Sequence, residues 1–272
     1  MKEFDFYIVP TPIGNLGDIT LRAIEVLKSV DIIACEDMRV TQKLLNHFSI
    51  STKCISYHKF NEKERLEKFV ELLNEGKKIA LVSDAGTPLF CDPGSILVEK
   101  LRKHNFSITA LAGANAVATF LSQNAREGED FFFSGFLPKS KSQIELILKK
   151  YKSTNIVFYE SPNRLINTLE IIASCRESAK VSVGRELTKV FEEITTGTAQ
   201  DIISHFEKNI LKGEIVAMVY AEKSNLCDDD LSEKIEKLKN KNFSAKEISV
   251  ILSELYGAGK NEVYKMVLEN KD

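Results

Sequence analysis

The sequence predicts an α/β protein with two sheet-bearing domains and a small helical extension at its C-terminal end. Three observations predict it. Five short apolar runs alternate with amphipathic helical patterns between residues 4 and 112, as in a largely parallel sheet with crossover helices. A second series of apolar runs begins at FFFSGF (131–136), after the small, glycine-containing stretch LAGANA (111–116). From residue 228 the strand patterns stop and three helical ones follow. The 272 residues are ample for two domains, with expected limits 1–113, 114–224 and 228–272.

In the first domain the predicted strands are FDFYIV (4–9), DIIAC (31–35), KCISY (53–57), KIALVS (78–83) and ITALA (108–112). The helices between them are LRAIEVLKSV, VTQKLLNHF, EKERLEKFVELLNEG and SILVEKLRKHN. Asp18 or Thr20 is placed to cap the first, and Gly76 to close the third. AVATFLSQ is a further helix. The second domain then offers the strands FFFSGF, NIVFYE (155–160), KVSVGRE (180–186) and EIVAMVYAE (214–222), with helices QIELILKKY, RLINTLEIIASC and AQDIISHF. The run KVFEEITTG (189–197) follows its preceding strand too closely for a crossover helix, so this sheet is expected to be mixed. In the tail, Ser244 with Glu247 fits a capping box, and YGAG (256–259) is a turn.

Composition narrows the function classes. A net charge of -2 means that any basic surface is local. The tail holds eight lysines against ten carboxylates, which is not the footprint of a DNA-binding module, so a docking or structural role is expected. Cys35, Cys54, Cys91, Cys175 and Cys227 are scattered without a CxxC pair, which argues against disulfides and zinc. His47, His58, His104 and His205 lack metal-ligand spacing, so no metal is expected. No signal-peptide pattern or apolar run of about 18 residues is present, and the expectation is a cytoplasmic protein without membrane contact.

Ligands of open α/β sheets bind at the carboxyl ends of strands, so the loops there matter most. VPTPIGNLGDIT (9–20) has the strand, glycine loop and helix of a nucleotide site but neither glycine fingerprint of one. Pro10 and Pro12 remove N–H donors that a phosphate cradle needs, so a neutral or cationic ligand suits this loop better. CEDMR (35–39) sets Glu36, Asp37 and Arg39 after a strand, either as acids at a helix N-terminus or as catalytic groups. SDAGTPLFCDPG (83–94) is the densest loop in the chain and the favoured binding site. FYESPNR (158–164) and GREL (184–187) place Glu160, Arg164, Arg185 and Glu186 at strand ends, as an ion-pair network or as site residues. LPKSKSQIELILKKYK (137–152) carries five lysines and one glutamate, a solvated helix face or a phosphate-contacting patch.

Taken together, VPTPIGNLGDITLRA, ACEDMR, SYHKFNEKER, LVSDAGTP…DPG, GFLPKS, FYESPNR, GRELTKVFEE and TTGT resemble, in order, the ribosomal RNA small-subunit methyltransferase I family of the tetrapyrrole-methylase class. The resemblance covers about residues 4 to 222, and the helical tail is similar to that family's extension. It implies a two-domain tetrapyrrole-methylase-like fold, S-adenosylmethionine bound between the domains, and a homodimer. It also implies methylation of the ribose 2′-oxygen of a cytidine in the decoding region of 16S rRNA, free or in the small ribosomal subunit. The chain departs from the pattern at Ala114 and Asn115 (usually Pro and Ser), at Leu89-Phe90-Cys91, at Met38 and at Asn163 (usually His).

With this resemblance, the residues expected around the sulfonium cofactor are Pro12, Ile13, Gly14, Asp84, Ala85, Gly86, Thr87, Asn115, Ala116, Phe158 and Tyr159. Glu36, Asp37, Glu160 and Glu186 are the candidate bases for a ribose hydroxyl, with Arg39, Arg164 and Arg185 as orienting cations. Lys139, Lys141, Lys149 and Lys150 are the expected RNA contacts. The competing readings are a methyltransferase for a small molecule such as a tetrapyrrole, and a non-catalytic RNA-binding factor. A dinucleotide-dependent oxidoreductase is disfavoured by the missing fingerprint.

Overall fold

Five strands, β1 (Phe6–Ile8), β2 (Ile32–Cys35), β3 (Lys53–Ser56), β4 (Ile79–Val82) and β5 (Ile108–Ala110), form a parallel sheet in the order β3-β2-β4-β1-β5. In this computed structural model residues 3–126, 128, 130–209, 211–222, 228–256 and 259–269 are described. Strand side chains alternate between two helical layers. Tyr7, Val9, Ile33, Cys35, Ala80 and Val82 pack on α1 (Leu21–Ser29) and α2 (Met38–His47). Phe6, Ile8, Ile32, Ala34, Ile79 and Leu81 pack on α3 (Glu62–Asn74) and α4 (Ser95–Lys103). Thr20 caps α1 by accepting from the Ala23 N–H at 3.0 Å. Gly76, at φ +79, follows α3 and turns the chain, with Lys77 N–H bonding back to Leu72 at 3.0 Å.

The second sheet has the order β6-β7-β10-β8-β9. Its strands are β6 (Phe131–Phe136), β7 (Asn155–Glu160), β8 (Lys180–Arg185), β9 (Glu193–Thr198) and β10 (Ile215–Val219). β6 and β7 are parallel and the other three pairings antiparallel, so the sheet is mixed as expected. One face carries α6 (Lys141–Lys150), α7 (Pro162–Cys175) and α8 (Ala199–Lys208) over Ile156, Phe158, Val181, Val183 and Ala217. The other face packs Val157, Val216 and Met218 against Ile13 and against Val117, Phe120 and Leu121 of α5 (Ala116–Ser122).

The chain divides into two compact units. Residues 1–151 and 155–220, with both sheets, make one; residues 152–154 and 221–272 make the other. The second unit holds α9 (Asp228–Lys239), α10 (Ala245–Tyr256) and α11 (Lys260–Glu269) around Leu231, Ile235, Ile248, Leu252, Val263 and Val267. The Ser244–Glu247 capping box forms, with Ser244 N–H donating to Glu247 Oε2 at 2.8 Å and Glu247 N–H to Ser244 Oγ at 3.3 Å. Gly257 and Ala258 of the expected turn, Cys227, residues 223–224 of the second expected domain and 270–272 of the third lie outside the described residues. Cys35, Cys54, Cys91 and Cys175 are free thiols, and no metal-holding cluster occurs among the described residues.

Candidate active site

β1 and β4 are neighbours, yet the helices that follow them lie on opposite faces of the sheet. A crevice therefore opens at their carboxyl ends. Thr11 and Gly86 tie its two lips by reciprocal backbone bonds of 2.9 Å. A cavity of about 370 Å³ sits over this crevice. The first sheet supplies Ile13, the turn Ala85–Thr87, Phe90–Asp92 and the start of α5 at Asn115–Ala116. The second sheet supplies Phe136, Tyr159–Pro162, Leu187 and Gly213–Val216.

Seven of the eleven expected cofactor residues line this cavity: Ile13, Ala85, Gly86, Thr87, Asn115, Ala116 and Tyr159. Four stand elsewhere. Phe158 is fully buried in the helical face of the second sheet, because it alternates with Tyr159 along β7. A Cβ on Gly14 would run into Lys189, Thr188 and Leu187, so that glycine permits the first loop to close on the β8–β9 turn. Pro12 and Asp84 flank the lining residues without joining them. Asn115 is the N-cap of α5, with Oδ1 accepting from Val117 and Ala118 N–H at 3.0 and 3.2 Å. Asn replaces the usual Ser at the cost of nothing in capping.

The acids on the first-sheet rim divide in two. Asp37 caps α2 and binds Arg39 at 2.6 Å, which drives its carboxyl down to about 2. Arg39 itself is exposed, its side chain 88% accessible. Glu36 and Asp84, half-buried, are shifted the other way, first by burial and then by neighbouring carboxylates. Asp84 accepts from the Asp37 N–H at 2.9 Å, which offsets part of its shift. Asp92 stands furthest out of range. Burial first, then Glu36 and Asp84, push it to about 6.

The loop that carries Asp92 is strained and anchored. Leu89 and Cys91 occupy the left-handed region, at φ +68 and +77, which costs a non-glycine residue about 1 kcal/mol or more each. Thr87 Oγ1 donates to Ala114 O at 3.0 Å at one end. At the other, the Gly94 N–H donates to the buried Glu62 Oε1 at 3.0 Å, and Tyr57 OH holds the same oxygen at 2.6 Å. Phe90 stacks on Phe133 with centroids 4.8 Å apart. Gly135 lies so close to Cys91 that a Cβ there would sit 3.1 Å from Sγ. Strain held by this many contacts is a mark of a functional loop.

The second-sheet rim behaves differently. Glu160, its side chain fully buried, accepts from Thr168 Oγ1 and from Ser161 N–H, both at 2.8 Å, and pairs with Arg164 at 3.3 Å. Arg164 also donates to Leu137 O and Pro138 O at 3.0 and 2.8 Å, tying β6 to α7. Arg185 binds Glu193 at 3.0 Å, and His205 Nε2 meets the other oxygen of Glu193 at 2.6 Å. Burial opposes the charge on Glu186, but Lys189 Nζ at 2.8 Å and the Glu214 N–H at 2.9 Å hold it below the ordinary range. Glu160, Arg164, Arg185 and Glu186 are thus clamps within the second-sheet region.

The four lysines fall into two pairs at opposite ends of α6. Lys139 and Lys141 edge a groove with Asn167, Glu170 and Ser174. Lys149 and Lys150 lie at the far end of α6, about 12 Å away at the rise of an α-helix. Beyond the expected site residues, the cavity is also lined by Phe90, Cys91, Asp92, Phe136, Ser161, Pro162, Leu187 and 213–216. Asp92 was within the loop already singled out. Residues 213–216 carried no signal, because β10 runs antiparallel and brings its beginning, not its carboxyl end, to the rim.

The donor set tests what this cavity accepts. Asp92, Glu160 and Glu214 line it, and no Lys, Arg or His does among the described residues. Ile13, Ala116, Leu187 and Val216 give it apolar walls. Arg164 and Lys189 pair with Glu160 and Glu214 from outside the lining, so among the described residues Asp92 is the lining acid without a cation, and the site suits a cation joined to a largely apolar body better than a phosphate. An adenosyl sulfonium fits that description.

The model of Tetrapyrrole (Corrin/Porphyrin) Methylases matches residues 5–203. The chain belongs to this tetrapyrrole methylase family. Within it, the chain is similar to ribosomal RNA small subunit methyltransferase I of Vibrio cholerae, 42% identical over 97% of this chain and 94% of the relative. The proteins of that name from Rickettsia prowazekii and Escherichia coli O157:H7 are each 40% identical, over 97% and 99% of this chain and 96% of either relative. Among solved structures, diphthine synthase aligns with a TM-score of 0.64 at 12% identity, over 80% of this chain and 90% of its own. A cobalt precorrin-4 methyltransferase aligns at 0.60 and 16%, over 79% and 94%. These two likenesses concern the fold. The family, the fold class and the enzyme class expected from the sequence all stand.

Proposed function

We propose that the protein transfers a methyl group from S-adenosylmethionine to RNA of the small ribosomal subunit, at the 2′-hydroxyl of a cytidine in the decoding region. The observation that carries this reading is the cavity at the carboxyl ends of β1 and β4, lined by three carboxylates and no cation among the described residues. The names of the full-length relatives support the RNA substrate. When bound, the cofactor supplies an electrophilic methyl carbon on a positively charged sulfur. Asp92 and Glu214 would face that charge, and Ile13, Ala116 and Leu187 would exclude water. Asn115 and Thr87, 3.4 Å apart, would fix the ligand's polar edge.

Lys139, Lys141, Lys149 and Lys150 contact RNA phosphates in this reading. The cofactor lies between the lobes 1–113 and 114–224, and 228–272 docks to RNA or to a second copy. A cytoplasmic homodimer completes it, supported by the exposed Val190 and Phe191 in the β8–β9 turn. No described helix is long and apolar enough to cross a membrane. The test is methyl transfer from labelled S-adenosylmethionine to small subunits lacking this modification, mapped by nuclease digestion and mass spectrometry. A single 2′-O-methylcytidine in the decoding region is expected. Cofactor binding without transfer to RNA, but with transfer to a tetrapyrrole, would replace the substrate and keep the enzyme class.

A further inference from the structure

We propose that Asp92 is the group that takes the proton from the acceptor hydroxyl. The inference rests on the reading of the site as one for methyl transfer to a ribose hydroxyl. It follows from comparing the carboxylates within reach. Of the three that line the cavity, Glu160 is spent on Thr168, Ser161 and Arg164. Glu214 pairs with Lys189 at 3.0 Å and its side chain is 68% exposed. Asp92 has no cation partner among the described residues, and no ion pair holds its carboxylate. Asp37 and Glu186, named earlier as candidates, are held by Arg39 and Lys189 and do not line the cavity.

The surroundings of Asp92 suit the role. Glu36 from the β2 loop and Asp84 from the β4 loop face it, as do Cys91 beside it and Tyr159 of β7; Glu214 faces Tyr159 and His58 faces Glu36. A base poised near 6 is ionised at neutral pH and still basic enough to accept a proton in the transition state. The clasp of Tyr57, Glu62 and Gly94 fixes the loop on which it sits. As the hydroxyl oxygen bonds to the methyl carbon, the carbon–sulfur bond leaves its electron pair on sulfur, and the hydroxyl proton passes to an Asp92 carboxylate oxygen. One positive and one negative charge vanish together, which an apolar-walled cavity favours. The proton is afterwards lost to water.

The experiment compares wild type, Asp92→Asn and Asp92→Glu in single-turnover methyl transfer to unmodified small subunits at saturating S-adenosylmethionine, between pH 5 and 8.5. Binding of S-adenosylhomocysteine, which lacks the positive charge, is measured alongside by calorimetry. Asp92→Asn is expected to lose about 100-fold or more in rate, to lose the wild-type rise with pH, and to bind S-adenosylhomocysteine as wild type does. Asp92→Glu is expected to recover part of the rate. Without turnover, the carboxyl NMR signal of Asp92 in carbon-13-labelled protein should titrate with a midpoint near 6. An active wild type with Asp92→Asn within threefold of it would overturn the proposal. So would loss of S-adenosylhomocysteine binding in Asp92→Asn, which would make Asp92 a builder of the cavity. A wild type that transfers nothing to RNA overturns the proposed function, and the assignment of Asp92 with it.

Discussion

The two rims of the cavity use the same residue types to opposite ends. On the second-sheet rim every acid meets a base or a full set of donors: Glu160 with Arg164, Glu186 with Lys189, Glu193 with Arg185 and His205. On the first-sheet rim Glu36, Asp84 and Asp92 crowd one another and are all shifted upward. Asp37, capping α2 and bound to Arg39, is the exception that behaves like the far rim. Paired acids hold elements in place. Crowded, half-buried acids cost stability and are kept where chemistry needs them.

That contrast can be broken most forcefully at Glu160. Glu160→Ala leaves Arg164 and Thr168 without their buried acceptor, and about 3 kcal/mol of stability should be lost, at the low end for a broken buried pair because Arg164 is partly exposed. Urea denaturation measures it; a loss under about 1 kcal/mol would remove Glu160 from the clamps. A second effect separates the two ends of α6. Replacing Lys139 and Lys141 with Glu should weaken small-subunit RNA binding about tenfold or more and lower the salt slope by about 0.7 to 0.9 for each phosphate contact removed, read from binding at several salt concentrations. Lys149 and Lys150, changed in the same way, show whether the far end of the helix belongs to the same surface.

The smaller effects sharpen the comparison through pH. The folded-state value of Asp92, about 6, lies above its ordinary 3.8, so the native protein holds that proton longer than the unfolded chain does. Stability from this group therefore falls as pH rises from about 4 through 6. Asp92→Asn should raise stability at pH 7.5 by about 1 kcal/mol, once screening of a partly exposed group is allowed for, and give no gain at pH 4. Melting curves at the two pH values read it directly. Glu193 has the opposite sign. Burial works against its charge, but Arg185 and His205 hold it below the ordinary range, so its contribution is present at neutral pH and is lost in acid, below the ordinary 4.5. Glu193→Gln should cost only about 0.5 kcal/mol at pH 7 and still less in acid.

Much of the fold was legible because strand and helix periods differ so plainly. The runs 131–136 and 155–160 are β6 and β7 to the residue, and the short connection before VFEEITTG announced an antiparallel pair. The expected start of that run at 189 was misleading. Thr188 is left-handed, Lys189 to Glu192 form a turn, and Val190 and Phe191 project outward, so β9 begins only at Glu193. At the site, the loop of residues 83–94 was visible from its prolines, glycines and aspartates. Which aspartate faced the cavity was not, because that depends on the left-handed turns at Leu89 and Cys91 and on Glu62 gripping Gly94 from a distant helix. Phe158 and Tyr159 could have been separated by alternation alone.

The first-sheet rim carries the chemistry and the second-sheet rim carries the stability. The direct measurement is single-turnover methyl transfer by the matched pair Asp92→Asn and Glu193→Gln, with melting temperatures recorded at pH 7.5. The expected result is a slow but more stable Asp92→Asn and a Glu193→Gln of ordinary rate and slightly lower stability. A fast, less stable Asp92→Asn beside a slow Glu193→Gln would contradict it.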